Sequence, residues 1–307
     1  MSEPAITVEG LGFFYSPGRW LLRNLDATAP RGGVLAVLGP NGRGKTTLLK
    51  LLLGALKPCE GAARLDGRTA FVPQLFHASF DYSALDMVLM GRARRIGLFS
   101  QPSAQDEAAA LDALDRFGVA AHARSPFHSL SGGERQLVIF ARALAAQADI
   151  LILDEPTSAL DLKNQALVLR WILRLSREHG LTIVMTTHHP EHALAVADQT
   201  LLMTGVSDYA LGPSRQVLSE AALERLYEAP VKRVVFEHRG ETIETIVPIL
   251  PPPPNGPERL RYRRRRGRLK TKAPQTLRPR RHEYNYPHAS RGPAGRRPLY
   301  PDFQSRT

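Results

Sequence analysis

Cysteine is almost absent. Cys59 is the only one in 307 residues, so the chain can form no internal disulfide and no cysteine-built zinc site. One thiol suits a reducing compartment. Long apolar runs are missing as well: none approaches the roughly 18 residues that span a bilayer. The opening Met1-Ser2-Glu3-Pro4 lacks the basic and apolar regions of a secretory leader. The expectation is a cytosolic body, with any membrane role passing through a partner. Also missing is a charge excess in that body. The formal net charge is +12, but residues 251–307 hold 16 Lys and Arg against 3 Asp and Glu, leaving 25 basic and 26 acidic residues in 1–250. The basic balance therefore describes a tail and is no signature of a nucleic-acid-binding domain.

What is present is ordinary for a globular chain: 43% hydrophobic and 23% charged residues, enough for a sizeable core. The tail opens with Pro251–Pro254 and continues through Arg263–Arg266. Such density of proline and like charge cannot build a core, so 251–307 is expected to be disordered or extended. The body reads as alternating strands and helices. Strands are expected at Ile6–Tyr15, Val34–Leu38, Phe71–Val72, Ile150–Leu153 and Thr182–Met185, with a hairpin at Arg233–His238 and Glu241–Val247. Helices are expected at Thr46–Leu53, too apolar for one buried face, and after Ser103. There a Ser-x-x-Asp cap precedes apolar Leu111, Leu114 and Phe117. Strands alternating with helices imply a mainly parallel sheet covered on its faces.

Three constellations carry chemistry. Gly39-Pro40-Asn41-Gly42-Arg43-Gly44-Lys45-Thr46 fits Gly-x4-Gly-Lys-[Ser/Thr] between a strand and a helix. Glycines let successive N–H groups converge on phosphate oxygens, and the helix N-terminus adds positive dipole. Lys45 can reach the β- and γ-phosphates and the Thr46 hydroxyl can ligate Mg²⁺. In Ile150-Leu151-Ile152-Leu153-Asp154-Glu155 four apolar residues run into two carboxylates, placing the acids at the strand edge where ligands bind in open α/β sheets. Asp154 suits the Mg²⁺ water shell, and Glu155 can take the proton of a water attacking the γ-phosphate. In Leu130-Ser131-Gly132-Gly133-Glu134, Ser131 and Glu134 make a capping box for a helix to about Ala146. Each glycine costs that helix start roughly 0.5–1 kcal/mol against alanine, with no packing benefit visible in the sequence. Bare N–H groups at a helix N-terminus make an anion site, so a second phosphate-binding surface is expected.

In this order, the three constellations resemble the ATP-binding subunits of ABC transporters. Tyr15, 24 residues before Gly39, resembles the aromatic that stacks on adenine. Gln74, after Phe71-Val72-Pro73, resembles the Q-loop glutamine; Ser158-Ala159-Leu160-Asp161 resembles the D-loop, and His188 in Thr186-Thr187-His188 the switch histidine. The likeness covers residues 5–250, and Glu134 stands where glutamine is commoner. It implies an α/β P-loop NTPase: a mainly parallel sheet with an antiparallel β edge and a helical subdomain at about 75–145, within an ATP-binding domain over 1–250.

The resemblance also implies ATP and Mg²⁺ as cofactors. Tyr15, Gly39, Asn41, Gly42, Gly44, Lys45, Thr46 and Thr47 would hold the nucleotide. Ser131, Gly132, Gly133 and Asp161 would close on it from the other subunit of a head-to-tail homodimer. Glu155, His188 and Gln74 would be catalytic, with Thr46, Gln74 and Asp154 directed at Mg²⁺. The implied partners are integral-membrane permease subunits and, indirectly, a periplasmic or surface substrate-binding protein, at the cytoplasmic face of the cell membrane. The stretch Tyr82–Arg92 resembles the segment after the Q-loop in importers of iron–siderophore, haem and cobalamin complexes, and of molybdate in a close relative. The expected function is ATP hydrolysis that powers import of a metal chelate. The alternatives are a molybdate, tungstate or other importer ATPase, an exporter ATPase, and a non-transport ATPase acting on nucleic acid. The last usually carries two ATPase domains or a coiled-coil insert, whereas one lysine loop and one Ser-Gly-Gly motif occur here. Bland readings are preferred for His189 and His192 over zinc binding, for Met87, Leu89 and Met90 as packing residues, and for Cys59 as an inert turn residue.

Overall fold

The computed structural model describes residues 3–74, 81–96, 100–158 and 160–250. Residues 1–252 form one compact unit; the tail expectation for 251–307 lies outside the described residues. Strands β1 (Pro4–Phe14), β2 (Trp20–Pro30) and β3 (Val34–Leu38) precede helix α1 (Lys45–Leu52) and strands β4 (Glu60–Leu65) and β5 (Thr69–Val72). Helices α2 (Ala84–Leu89), α3 (Ala104–Arg116) and α4 (Gly132–Ala145) follow, then β6 (Ile150–Leu153), α5 (Leu162–Arg177), β7 (Thr182–Thr187), α6 (Pro190–Val196), β8 (Gln199–Met203) and β9 (Tyr209–Pro213). Short helices α7 (Ser214–Val217) and α8 (Glu220–Tyr227) lead into the hairpin of β10 (Val231–His238) and β11 (Glu241–Pro248).

The central sheet runs β5-β6-β7-β3-β8-β9. Its first five strands are parallel, and only β9 pairs antiparallel, at the far edge. Both faces are buried, as parallel strands require. Side-chain alternation divides the core cleanly. Ala36, Leu38, Leu151, Leu153, Ile183 and Met185 pack toward helices α2–α6. Leu35, Val37, Ile150, Ile152 and Val184 pack toward α1 and a second, antiparallel sheet ordered β2-β1-β4. The expected α/β fold with a mainly parallel sheet and an antiparallel edge is the fold observed. Helix α1 is buried along most of its length, including Thr47, Leu48, Leu49, Leu51 and Leu52, in keeping with its all-round apolar sequence. In the last hairpin Arg239 and Gly240 both take positive φ, 54° and 81°, the backbone a two-residue turn between twisted strands demands.

Helix α3 starts as the sequence indicates, with Ser103 accepting from the Asp106 N–H and the Asp106 carboxylate accepting from the Ser103 N–H. One expectation fails there. Leu114 is fully buried and Phe117 stacks 4.2 Å from Trp171, but Leu111 is 38% exposed. The buried stripe of α3 passes through Ala110, Ala113 and Leu114 instead, because alanines let α3 approach α4 closely.

Candidate active site

The carboxyl ends of β3, β6 and β7 lie side by side, so the turns that follow them converge. The lysine loop leaves β3 and re-enters α1 at Lys45, with Gly42 and Gly44 at φ 80° and 90°, backbone that side chains resist. Lys45 is only 6% exposed. Its ammonium donates to the carbonyls of Gly39 (2.8 Å) and Pro40 (3.3 Å) and lies 3.7 Å from Glu155 Oε1. Burial pulls its pKa below the ordinary lysine value, opposed by the charges of Glu155 and Asp154.

Asp154 and Glu155 end β6. Asp154 is buried, and its Oδ1 accepts hydroxyl bonds from Thr186 at 2.6 Å and Thr46 at 3.3 Å. Glu155 takes φ 45°, which costs a non-glycine residue roughly 1–2 kcal/mol. The turn is pinned on both sides: the Glu155 N–H donates to Thr186 Oγ1 at 2.8 Å, and the Glu155 carbonyl accepts from Ser158 N and Oγ at 3.0 and 2.9 Å. The Glu155 carboxylate accepts from Gln74 Nε2 at 3.0 Å, and His188 Nδ1 sits 3.3 Å from the same Oε2 without hydrogen-bond alignment. The Tyr227 hydroxyl donates to the His188 carbonyl at 2.9 Å, tying the end of β7 to α8.

These groups border a cavity of about 800 Å³ lined by Tyr15, Asn41, Gly42, Gly44, Lys45, Thr46, Thr47, Gln74, Glu155 and His188, together with Leu21 and Ser158. Tyr15 is 64% exposed, stands edge-on to Phe13 at 4.9 Å, and shares a hydrogen bond with the Thr47 hydroxyl at 3.2 Å. Two expected residues sit behind the wall. Gly39 packs against the Met203 carbonyl, where a Cβ would fall 2.8 Å from the oxygen, and Asp154 reaches the cavity through Thr46. Leu21 and Thr186 escaped the sequence reading. Leu21 belongs to β2, whose alternation is broken at Asn24 (φ 53°); Thr186 is legible only once the β6–β7 register is known.

Ser131, Gly132, Gly133 and Asp161 do not border this cavity. Ser131 and Glu134 make the full capping box of α4, the Ser131 N–H donating to Glu134 Oε2 at 2.8 Å, and Asp161 caps α5 by accepting from the Asn164 N–H. The expectation that the two glycines serve no packing purpose is corrected. A Cβ on Gly133 would fall 2.2 Å from Asn164 Oδ1, so this glycine admits α5; Gly132 has only Leu160 near it, at 3.6 Å. Met87 is fully buried, as a packing residue would be; His189 Nδ1 meets Glu191 Oε1 at 3.1 Å and His192 Nδ1 meets the Thr157 hydroxyl at 3.1 Å. Cys59 is exposed, its backbone N–H bonded to the Gly12 carbonyl.

The ABC transporter family profile matches residues 22–158. The molybdate import ATP-binding protein MolC of Haemophilus influenzae is 40% identical over 80% of this chain and 96% of its own length. The chain belongs to the ATP-binding subunits of ABC transporters. The hemin import ATP-binding protein HmuV of Streptomyces coelicolor is 38% identical over 75% of this chain and 85% of its own. A solved structure described as an inward-facing metal-chelate type ABC transporter aligns with a TM-score of 0.77 at 40% identity, covering 81% of this chain and 98% of that one. No helix among the described residues is long and apolar enough to cross a membrane.

Proposed function

We propose that the chain hydrolyses ATP at this cavity to power import of a metal chelate of the iron-siderophore, haem or cobalamin type through a separate permease. The observation that carries the reading is the convergence of Lys45, Gln74, Glu155 and His188 on one cavity, with Glu155 Oε2 facing both Gln74 and His188. Lys45, Thr46, Thr47 and the N–H groups from Asn41 to Gly44 receive the phosphates, Gly39 allows the loop its close approach, and the open face of Tyr15 receives the adenine. Glu155 accepts the proton of the attacking water, oriented with Gln74, while His188 meets the γ-phosphate. The donor set fits Mg²⁺, a hard cation that takes oxygen ligands and keeps several waters. The Thr46 hydroxyl and the Gln74 side-chain oxygen would hold it directly, and Asp154 would hold its water shell. When bound, the ion offsets charge between the β- and γ-phosphates.

That Ser131, Gly132, Gly133 and Asp161 do not border the cavity in their own chain supports a head-to-tail homodimer in which they close the partner's nucleotide site. The same reading places α2–α4, in the 75–145 region, as the helical subdomain. It places the protein at the cytoplasmic face of the membrane, with a binding protein delivering solute to the permease from outside. The 40% identity to MolC supports a second reading of the cargo, molybdate or a like oxoanion. Two measurements test the proposal. Glu155→Gln is expected to bind ATP yet lose about 100-fold or more in turnover; wild-type turnover would refute the role of Glu155. With its permease in vesicles, ATP-driven uptake of ferric or cobalamin chelates supports the first cargo, and uptake of molybdate alone the second.

A further inference from the structure

The register of the central sheet puts one more group into the site. Leu153 pairs with Met185, so Asp154, one residue on, lies beside Thr186, and Thr186 itself pairs with Val37, two residues before the lysine loop. Thr186 is completely buried, and a threonine hydroxyl owns one proton. Glu155 N–H can only donate, so the hydroxyl accepts from it, at 2.8 Å, and spends its own proton on Asp154 Oδ1, at 2.6 Å. The directions of both bonds are thereby fixed. One side chain bridges the two acids of the strand end: it orients the carboxylate of the first and holds the backbone of the second in its left-handed turn. With Thr46 donating to the same Oδ1, Oδ2 is the oxygen left for a cation's water shell.

We propose that Thr186 is a positioning residue for hydrolysis: its hydroxyl sets the Asp154 carboxylate toward the Mg²⁺ water shell and the Glu155 side chain toward the attacking water. The inference rests on the roles proposed above for Asp154 and Glu155. Outer-sphere partners of this kind, when removed, cost about 10–100-fold in metal affinity or activity. Valine matches threonine in shape and lacks the hydroxyl; serine keeps the hydroxyl and loses a methyl; cysteine offers a weak donor in the same place.

The test compares Thr186→Val, Thr186→Ser, Thr186→Cys and Glu155→Gln in the full chain. ATP binding is titrated in EDTA and at graded Mg²⁺, alongside turnover. Thr186→Val is expected to bind ATP in EDTA as the wild type does, to need about 10–100-fold more Mg²⁺ for tight binding, and to lose turnover in kcat more than in KM. Thr186→Ser is expected to recover most of both losses and Thr186→Cys to fall between, an ordering that serves equally if the valine variant does not fold. A wild-type Mg²⁺ response in Thr186→Val, or a serine variant as impaired as cysteine at unchanged melting temperature, overturns the inference. Glu155→Gln separates the two levels. If it turns over normally, the reading of Glu155 fails; if it is inactive while Thr186→Val behaves as the wild type, only Thr186 is misassigned.

Discussion

Gly133 and Asn164 touch across the start of two helices: a methyl group on the glycine would sit 2.2 Å from Asn164 Oδ1. The contact joins the capping box of α4 to the first turn of α5. Gly133→Ala is therefore expected to lose stability by overpacking, about 1–3 kcal/mol before any gain in helix propensity, and Asn164→Ala in the same chain to restore part of it. Urea midpoints of the two single variants and the double give the coupling, expected at about 0.5–3 kcal/mol. Additive effects would show that Asn164 swings aside freely.

The composite-site proposal predicts complementation. Ser131→Arg and Lys45→Ala chains should each be inactive, the first by blocking the partner's site and the second by losing phosphate binding. Mixed, they should regain ATPase activity, since one of the two sites in a mixed dimer joins intact halves. Mixed dimers that form yet remain inactive would leave Ser131 as a helix cap and nothing more.

His192 gives a pH dependence with a definite sign. Burial lowers its pKa, with the charge of Glu191 opposing and His189 and His188 adding to the effect. The unfolded chain accepts a proton at the ordinary histidine value, near 6.5, and the folded chain resists it. This contribution to stability is present above that value and is lost as the pH falls through it toward the lowered folded value. Melting temperatures from pH 8 to 5 should fall more steeply for the wild type than for His192→Asn. Parallel curves would assign the titration to other groups.

The contrast on α3 is a packing test. Leu114→Ala removes a fully buried side chain and should cost about 2–5 kcal/mol. Leu111→Ala, at an exposed position, should stay within about 0.5 kcal/mol. Equal losses would mean that another surface covers Leu111.

The tail makes a fifth prediction. Ending the chain after Leu250 removes 16 of the 41 Lys and Arg residues and none of the site. ATPase rate and melting temperature should be unchanged, while retention on heparin at low salt should vanish, because exposed charge is what such a matrix reads. A melting temperature several degrees lower would show that the tail contributes to the folded body.

The strands that carry chemistry were legible because each is a short apolar run bounded by glycine or acids, as at Val34–Leu38 and Ile150–Leu153. Lys45 and Glu155 followed from their place at those ends, and Gln74 from its likeness to the Q-loop glutamine after Phe71-Val72-Pro73. The first sheet was harder to read. Strand β2 buries Leu22, Leu25, Ala27 and Ala29, and the irregular pairing of β1 with β2 shifts the period midway, so no alternating pattern announces it. The place of Leu21 beside the cavity is hidden from the sequence for that reason. Thr186 was hidden for another: its bonds cross between strands 32 and 31 residues apart in sequence, and only sheet register brings them together. Leu111 misled because α3 is read by its large side chains, whereas its seam is built on alanine.

The strand order β6-β7-β3 has a geometric consequence. Neighbouring strands are held about 4.8 Å apart by their hydrogen bonds, so the turns after β6 and β3 are separated by two such steps, about 10 Å. The backbone ladder acts as a fixed spacer between the turn that carries the carboxylates and the lysine loop. On the proposed reading, the sheet would hold the phosphates, while the base would meet Tyr15, a single exposed ring at the cavity rim.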